Sequence, residues 1–110
     1  MSDIKRIKFI LEKIEDIESF INKFNSIVYL LEDKMGFDAT LMSLLQIGET
    51  LNKLENDYDT IDKNDIKGAY DVRNFIAHDY EGVNKSLIEA ILRSHIPKLK
   101  ESLNKIIHYK

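Results

Sequence analysis

Residues 7–31 read IKFILEKIEDIESFINKFNSIVYLL, and their apolar side chains have the spacing of an amphipathic helix. Apolar residues recur in steps of three and four with charged residues between them, so they share one face of a helix. The apolar positions are Ile7, Ile10, Ile14, Ile17, Ile21, Phe24, Val28 and Leu31. Asn25 and Ser26 interrupt the run with side chains that favour helix caps. The pattern therefore predicts one kinked helix or two helices in succession.

Apolar stripes with the same period continue along the chain, and no segment alternates like a β-strand. We expect Gly36 to close the first segment, and a second stripe, with Gly48 on its apolar face, to follow it. A glycine within a helix is unfavourable by about 1 kcal/mol relative to alanine, so we expect a neighbouring helix to approach closely at Gly48. A polar connection over residues 56–64 precedes the third stripe, which begins at Ile66 and ends near Gly82.

The last part of the chain carries two helix-start signals. Asn84 suits the N-cap of a fourth helix, and Pro97 suits the first turn of a last one. The four glycines and one proline fall near the breaks in the apolar period, and we find no internal repeat or low-complexity tract. We therefore predict an all-α fold, an antiparallel bundle of four to five helices with short connections, formed by residues 1–110 as a single domain.

Composition limits the chemistry that is available to the chain. It has no cysteine, which excludes disulfides, thiolate zinc sites and cysteine nucleophiles. Its net charge of -3 lacks the basic excess of proteins that grip nucleic acid over a long surface, so any RNA contact has to be local. The carboxylates of the first stripe have the spacing of a solvated face, so we expect no metal and no cofactor.

Nothing in the apolar pattern indicates a targeting or membrane segment. Residues 1–6 lead directly into the amphipathic pattern, without the continuous apolar run of a signal peptide. No apolar stretch reaches the length that spans a bilayer. We therefore expect a cytoplasmic protein with no membrane association.

Residues 70–80 read YDVRNFIAHDY and include polar side chains at positions where the helical period predicts buried apolar ones. Arg73 falls on the apolar face of the third stripe, where an arginine is unfavourable unless it is paired or faces a cavity. Asn74 and His78 are four residues apart and are neighbours on the adjacent row of the same helix. These three side chains are therefore candidates for one patch, and Tyr80 belongs to it if the helix end brings it near.

Spacing alone leaves two interpretations of this patch open. In the first, Arg73 pairs with an acid such as Glu49, and His78 caps carbonyls near a helix C-terminus. In the second, the patch is a functional site, in which a histidine can move protons and an arginine can stabilise negative charge on a ligand. Histidine titrates near neutrality, and arginine presents a planar fork for two phosphate oxygens.

Arg73, His78 and Tyr80 resemble the Arg-x-x-x-x-His-x-Tyr signature of HEPN toxins, in particular of the HepT type. Asn74 matches the usual residue after the arginine. Because further matches occur in the same order along the chain, the resemblance covers most of it and is more specific than the arginine-to-histidine spacing alone. The further matching stretches are Ile47-Gly48-Glu49, Tyr80-Glu81-Gly82-Val83 and Ile96-Pro97-Lys98-Leu99.

The resemblance implies a HEPN-like bundle that acts as a metal-independent endoribonuclease toxin in a type VII-like toxin–antitoxin pair. It implies that Arg73 and His78 are catalytic, and that Asn74 and Tyr80 support catalysis or bind RNA. It also implies a homodimer in which the motif helices face each other across a shared cleft. Finally, it implies a minimal nucleotidyltransferase antitoxin of the MntA type, which transfers AMP from ATP to Tyr80 and so places charge and bulk where RNA must lie.

Two alternatives compete with a ribonuclease. One is a non-catalytic helical partner that presents nucleotide or substrate to a nucleotidyltransferase, and it predicts binding without cleavage. The other is a structural dimer whose polar cluster only fixes helix register, and it predicts tolerance of Arg73→Lys. His95 and His108 have no motif partners, and we interpret them as surface residues near helix ends.

Overall fold

A computed structural model describes residues 1–108, and within that range every regular element is helical. The helices are α1 (Asp3–Phe24), α2 (Ile27–Glu32), α3 (Lys34–Leu51), α4 (Lys63–His78), α5 (Lys85–Ala90) and α6 (Ile96–His108). A turn of π-helix (Ile91–His95) joins α5 to α6, so the two form one continuous helical segment. The predicted all-α fold is confirmed. No helix within residues 1–108 is both long and apolar enough to cross a membrane.

The first apolar run forms two helices, which resolves the choice that the sequence leaves open. Asn25 adopts a left-handed conformation with φ of 65° and ends α1. Ser26 then caps α2, where its hydroxyl accepts a hydrogen bond from the backbone N–H of Tyr29. Because α2 starts with a new rotational phase, Leu31 is buried while Val28 is exposed. Val28 therefore does not continue the buried face of α1.

The boundary between α2 and α3 lies at Asp33, so the prediction that Gly36 closes the first segment is wrong. The Asp33 carboxylate accepts a hydrogen bond of 2.8 Å from the backbone N–H of Gly36 and caps α3. Gly36 lies in the first turn of α3, against the preceding helix. A Cβ atom there would meet the Leu30 carbonyl oxygen at 2.6 Å, so the close approach of α2 accounts for the glycine.

The core lies around α3, which contacts α1, α2 and α4. The predicted isoleucine stripe of α1 is completely buried from Ile7 to Ile17. By contrast, α4 is a peripheral helix in which Ile76 is the buried residue. The buried core residues are Ile7, Ile10, Ile14, Ile17, Leu30, Leu31, Leu41, Leu44, Ile47, Leu51, Ile61, Ile76, Val83, Ile88, Leu92, Ile96, Leu103 and Ile106.

The predicted last helix is present, but it continues α5 without an intervening loop. Pro97 lies in the first turn of α6, as expected, and its ring nitrogen has no hydrogen to donate to an earlier carbonyl. The helix widens just before it, and the Ile96 N–H donates to the Ile91 carbonyl five residues earlier. Asn84 caps the segment as predicted, accepting from the N–H groups of Ser86 and Leu87.

One buried carboxylate fastens the connection between α3 and α4 to the start of α1. Asp3 accepts hydrogen bonds from the backbone N–H groups of Glu55 and Asn56 and from the Tyr58 hydroxyl, at 2.9 to 3.2 Å. Arg6 lies 3.1 Å away and pairs with the same carboxylate. Burial raises the pKa of Asp3, but these hydrogen bonds outweigh it and bring the pKa from 3.8 down to about 2. The ionised form is therefore part of the folded structure.

We predict that Asp3→Asn lowers the free energy of unfolding at neutral pH by about 2 kcal/mol, measured by urea denaturation. Because the folded-state pKa is depressed, the carboxylate stabilises the fold above its ordinary pKa of 3.8, and this contribution is lost as the pH falls towards 2. The variant should therefore lose less stability than the parent over that acid range. Asp16→Asn, which removes a partly exposed carboxylate of α1, is the control and should have a small effect. Equal acid sensitivity of parent and Asp3→Asn would contradict the assignment.

Candidate functional site

The site begins with the close packing of α3 against α4. Glu49, near the end of α3, pairs with Arg73, whereas Asp38, near its start, binds Tyr80 just beyond the end of α4, so the helices run antiparallel. At the point of closest approach, a Cβ on Gly48 would lie 2.5 Å from the Ala69 carbonyl oxygen and 2.8 Å from the Arg73 Cβ. The close approach that the sequence predicts at Gly48 is therefore present, and it brings α3 against the base of Arg73.

Arg73 is held by three neighbours. Its Nε and Nη2 donate to the same oxygen of Glu49, at 3.0 and 2.8 Å, and Nη1 donates to the Asn74 side-chain oxygen at 2.9 Å. The guanidinium carbon also lies 5.7 Å from the centre of the Tyr70 ring, within cation–π range. These contacts fix the orientation of the guanidinium group while 26% of the side chain stays exposed.

The pairing leaves part of the guanidinium group available for a ligand. An arginine has five N–H donors, and Glu49 and Asn74 together take three of them. Among the described residues no acceptor binds the remaining hydrogens on the two terminal nitrogens. A partly exposed guanidinium with free terminal N–H groups suits bidentate binding of a phosphate. Glu49 therefore orients Arg73 without using all of its donors.

His78 is the last residue of α4, and its side chain is exposed. Asn74 precedes it by one helical turn, so the two lie on the same side of the helix. Asn74 also accepts a hydrogen bond of 2.9 Å from Arg73. No hydrogen bond joins His78 to another side chain in residues 1–108. The imidazole is therefore accessible for proton transfer.

Tyr80 lies beyond α4, in a short 3₁₀ turn that spans Tyr80–Gly82. Its hydroxyl donates a hydrogen bond of 2.5 Å to Asp38 of α3, and Lys34 lies 3.7 Å from the other oxygen of that carboxylate. The side chain of Tyr80 is nevertheless 40% exposed. Partial burial, together with the hydrogen bond and the charge of Asp38, raises the pKa of Tyr80 from 10.0 to about 12. Tyr80 is thus an uncharged phenol at neutral pH.

The motif from Arg73 to Tyr80 and the Ile47-Gly48-Glu49 stretch of α3 both lie in a part of the chain that matches a known family. Residues 10–106 match the family model described as ribonuclease HepT-like. The chain belongs to the HepT-like ribonuclease family. This places it with the HepT-type toxins of the HEPN superfamily. Comparisons with curated proteins and with solved structures give no match.

In this HepT-like protein the four predicted site residues do not form a single contact network. Arg73 and Asn74 are bonded to each other, and His78 lies one turn beyond Asn74. Tyr80 is tied instead to Asp38, and no hydrogen bond in the described part of the chain links it to the other three. Because α4 ends at His78, the predicted helical spacing does not extend to Tyr80, which lies on the 3₁₀ turn.

Sequence reasoning missed Asp38 and Tyr70. Asp38 is four residues after Lys34, a spacing that indicates only a surface ion pair on a helix, and the pair is present. Its contact with Tyr80 joins residues 42 positions apart, which no local pattern predicts. Within residues 1–108 no group of three or more His, Asp or Glu side chains is arranged to hold a metal ion.

The packing at Gly48 yields a prediction with a matched control on the facing helix. Gly48→Ala should lower the free energy of unfolding by about 1–3 kcal/mol, because its methyl group would meet the backbone of α4 and the helices would have to separate. Gly68→Ala, in α4, introduces the same methyl group where no atom lies within 4 Å. Since alanine favours helix, this variant should gain up to about 1 kcal/mol. Urea denaturation of both variants measures the difference; equal stabilities would refute the close approach.

Proposed function

We propose that this HepT-like protein is a metal-independent endoribonuclease toxin in which Arg73 and His78 are catalytic. The main support is one arrangement on α4: a guanidinium group fixed by Glu49, Asn74 and Tyr70, with the exposed residue His78 five positions further along the helix. The first supplies an oriented positive charge and the second an accessible proton carrier. Those are the two functions that RNA cleavage without a metal requires.

The proposed reaction uses the 2′-hydroxyl of the RNA as its nucleophile. An imidazole removes the hydroxyl proton as the 2′ oxygen forms a bond to the adjacent phosphorus. The bond from phosphorus to the 5′ oxygen then breaks, and the leaving oxygen takes a proton from an imidazolium. Arg73 stabilises the negative charge that gathers on the phosphate oxygens, through the N–H groups that Glu49 and Asn74 leave free.

A homodimer would complete this site, because one chain offers one imidazole on α4 and the reaction uses both a base and an acid. The surface around the motif supports such packing. Phe75 of α4 is 47% exposed, and Met42, one turn after Asp38 on α3, is 53% exposed. Large apolar side chains that are open to solvent can be covered in an interface. Two copies that meet through α4 would place both motifs along one cleft.

We predict that Arg73→Ala and His78→Ala each reduce RNA cleavage by at least about 10²-fold, because each removes a group that acts in the transition state. Cleavage of a labelled RNA by purified protein and growth arrest on induction are the measurements. Both side chains are partly or fully exposed, so helix content should not change. Arg93→Ala and His108→Ala remove the same residue types from exposed positions away from the motif and should cleave normally. Parent-level cleavage by both motif variants would reject the assignment.

We further propose that a nucleotidyltransferase antitoxin inactivates the toxin by transferring AMP to Tyr80. The exposure of Tyr80 supports access by a partner enzyme, since 40% of the residue is open although its hydroxyl is bonded. A phosphodiester on this residue would add negative charge and bulk close to the end of α4, where substrate phosphate binds. Electrostatic repulsion and steric blocking would then act together.

Coexpression with the nucleotidyltransferase from the adjacent reading frame tests this partner. We predict that intact-mass and peptide mass spectrometry find AMP on Tyr80, and that Tyr80→Phe escapes the modification. Tyr29→Phe removes another exposed tyrosine, on α2, and should remain modified. An unmodified Tyr80 in a neutralised complex would indicate masking by binding alone, and a genome with no such neighbouring frame would contradict the proposed pair.

One observation favours the alternative of a non-catalytic partner that presents nucleotide or substrate to a nucleotidyltransferase. The positive charge of Arg73 is already balanced by Glu49 at 2.8 Å, as in a structural ion pair. This alternative predicts that the purified protein binds RNA or nucleotide without cleaving it. The free N–H groups on the exposed side of Arg73 favour the ribonuclease instead.

A further inference from the structure

The hydrogen bond between Tyr80 and Asp38 joins two elements that are otherwise in little contact. Asp38 lies in the second turn of α3, and Tyr80 lies in the 3₁₀ turn after α4. The donor is the phenolic hydroxyl, and the acceptor is one carboxylate oxygen 2.5 Å away. Both side chains are partly open to solvent, at 40% for the tyrosine and 42% for the aspartate. The Tyr80 hydroxyl is therefore already bound to a proton acceptor, the Asp38 carboxylate, in a region that is partly open to solvent.

We infer that Asp38 is the general base for transfer of a nucleotidyl group to Tyr80, so that the toxin itself supplies the proton acceptor for its own modification. This inference rests on the proposed modification of Tyr80. The residue that takes this role, Asp38, lies on α3, whereas Tyr80 follows α4.

The step balances with a nucleoside triphosphate as the co-reactant. The phenolic oxygen of Tyr80 forms a bond to the α-phosphorus while its proton passes to Asp38. The bond between the α-phosphorus and the bridging oxygen of the β-phosphate breaks, and pyrophosphate leaves with that electron pair. The protonated Asp38 then releases its proton to solvent, and the tyrosine carries a nucleoside monophosphate as a phosphodiester.

The geometry singles out Asp38 among the carboxylates near Tyr80. Asp79 and Glu81 flank the tyrosine along the chain, but neither bonds to its hydroxyl within the described residues. Asp38 contacts the atom that would attack, at a distance that suits direct proton transfer. Its second oxygen pairs with Lys34, which is 90% exposed and does not bond to the tyrosine. Asp38 lies on α3 two residues before Thr40, which is completely buried. The helix that carries the carboxylate is therefore anchored in the core.

The ionisation state of Tyr80 explains why a base is needed. With a pKa of about 12, almost none of the phenol is ionised at neutral pH. A neutral phenol is a weak nucleophile, and its attack on phosphorus requires that the proton leave during the reaction. The same hydrogen bond that contributes to the high pKa gives the proton a path to follow.

The experiment follows AMP incorporation by intact mass, using the purified full-length toxin, its nucleotidyltransferase antitoxin and MgATP. Asp38→Asn should keep the fold and the shape of the contact but reduce the initial rate by about 10²-fold or more. Glu81→Gln is the matched control, because it removes one carboxylate beside Tyr80 that does not contact the hydroxyl, and it should retain the parent rate. Affinity of each variant for the antitoxin, measured separately, shows that the loss is in the transfer step.

Two further readouts distinguish a base from a residue that only supports the structure. The rate of Asp38→Asn should rise about tenfold per pH unit on the alkaline side, since its phenolate must form in solution, whereas the parent rate should depend less on pH. In Asp38→Ala, added formate should restore part of the transfer by replacing the missing carboxylate. A purely structural role predicts neither the steeper pH dependence nor the rescue.

The outcomes separate this inference from the proposal on which it rests. A slow Asp38→Asn that binds the antitoxin normally and shows the steep pH profile supports the assignment. Transfer by Asp38→Asn at the parent rate or faster overturns it, while the modified parent still supports the proposed regulation. A parent toxin that takes up no AMP removes the proposed modification and the role of Asp38 with it.

Discussion

The contact between Gly48 and α4 is the constraint on which the site depends. A side chain at this position would meet the backbone of the facing helix, so the two helices approach as closely as they do because residue 48 has none. This packing places Glu49 beside Arg73 and, at the opposite end of the antiparallel pair, Asp38 beside Tyr80. The Glu49–Arg73 pair therefore follows from this helix–helix distance, whereas the Asp38–Tyr80 bond also depends on the 3₁₀ turn after α4.

At each end of this helix pair a carboxylate of α3 binds a motif residue, but the two partners differ in charge. At one end a carboxylate meets a guanidinium group, so the charges compensate and the arginine is oriented. At the other end a carboxylate meets a neutral phenol, which stays protonated because burial and the neighbouring negative charge oppose its ionisation. The HepT-like motif thus combines a permanent positive charge with a tyrosine that is uncharged at neutral pH. Glu49 of α3 orients the arginine, and Asp38 of α3 adds to the effect of burial in raising the pKa of the tyrosine.

Much of the fold could be predicted from the sequence because it depends on local spacing. The apolar period predicts the main helices, and capping preferences predict an interruption at Asn25 and Ser26 and a helix start at Asn84. The close approach at Gly48 was predicted from the unfavourable propensity of glycine in a helix. Gly36 does not end the first segment, because Asp33, three residues earlier, caps α3 and the glycine allows close packing against α2.

The candidate site was only partly predictable for the same reason. Asn74 and His78 share a helix, so their relation follows from the helical repeat. Tyr80 lies past the end of α4, and helix ends depend on backbone hydrogen bonds that the apolar period does not encode. Its partner Asp38 belongs to a distant part of the chain, and only tertiary packing brings the two together. The Arg73–Glu49 pair could be predicted as one of two interpretations, because an arginine on the apolar face of a helix is unfavourable unless it is paired or faces a cavity.

The π turn before Pro97 lets one uninterrupted helix keep a regular inner surface. Ile88, Leu92 and Ile96 are spaced four residues apart, and in an ideal α-helix each such step would rotate the side chain by about 40° past a full turn. The wider backbone of residues 91–95 absorbs this excess rotation, and all three residues stay buried. The π turn therefore holds one more residue than an α-helical turn would, and this returns the buried side chains to the same face of the helix. Beyond this turn α6 packs against α1, where Lys100 pairs with Glu18 at 2.9 Å.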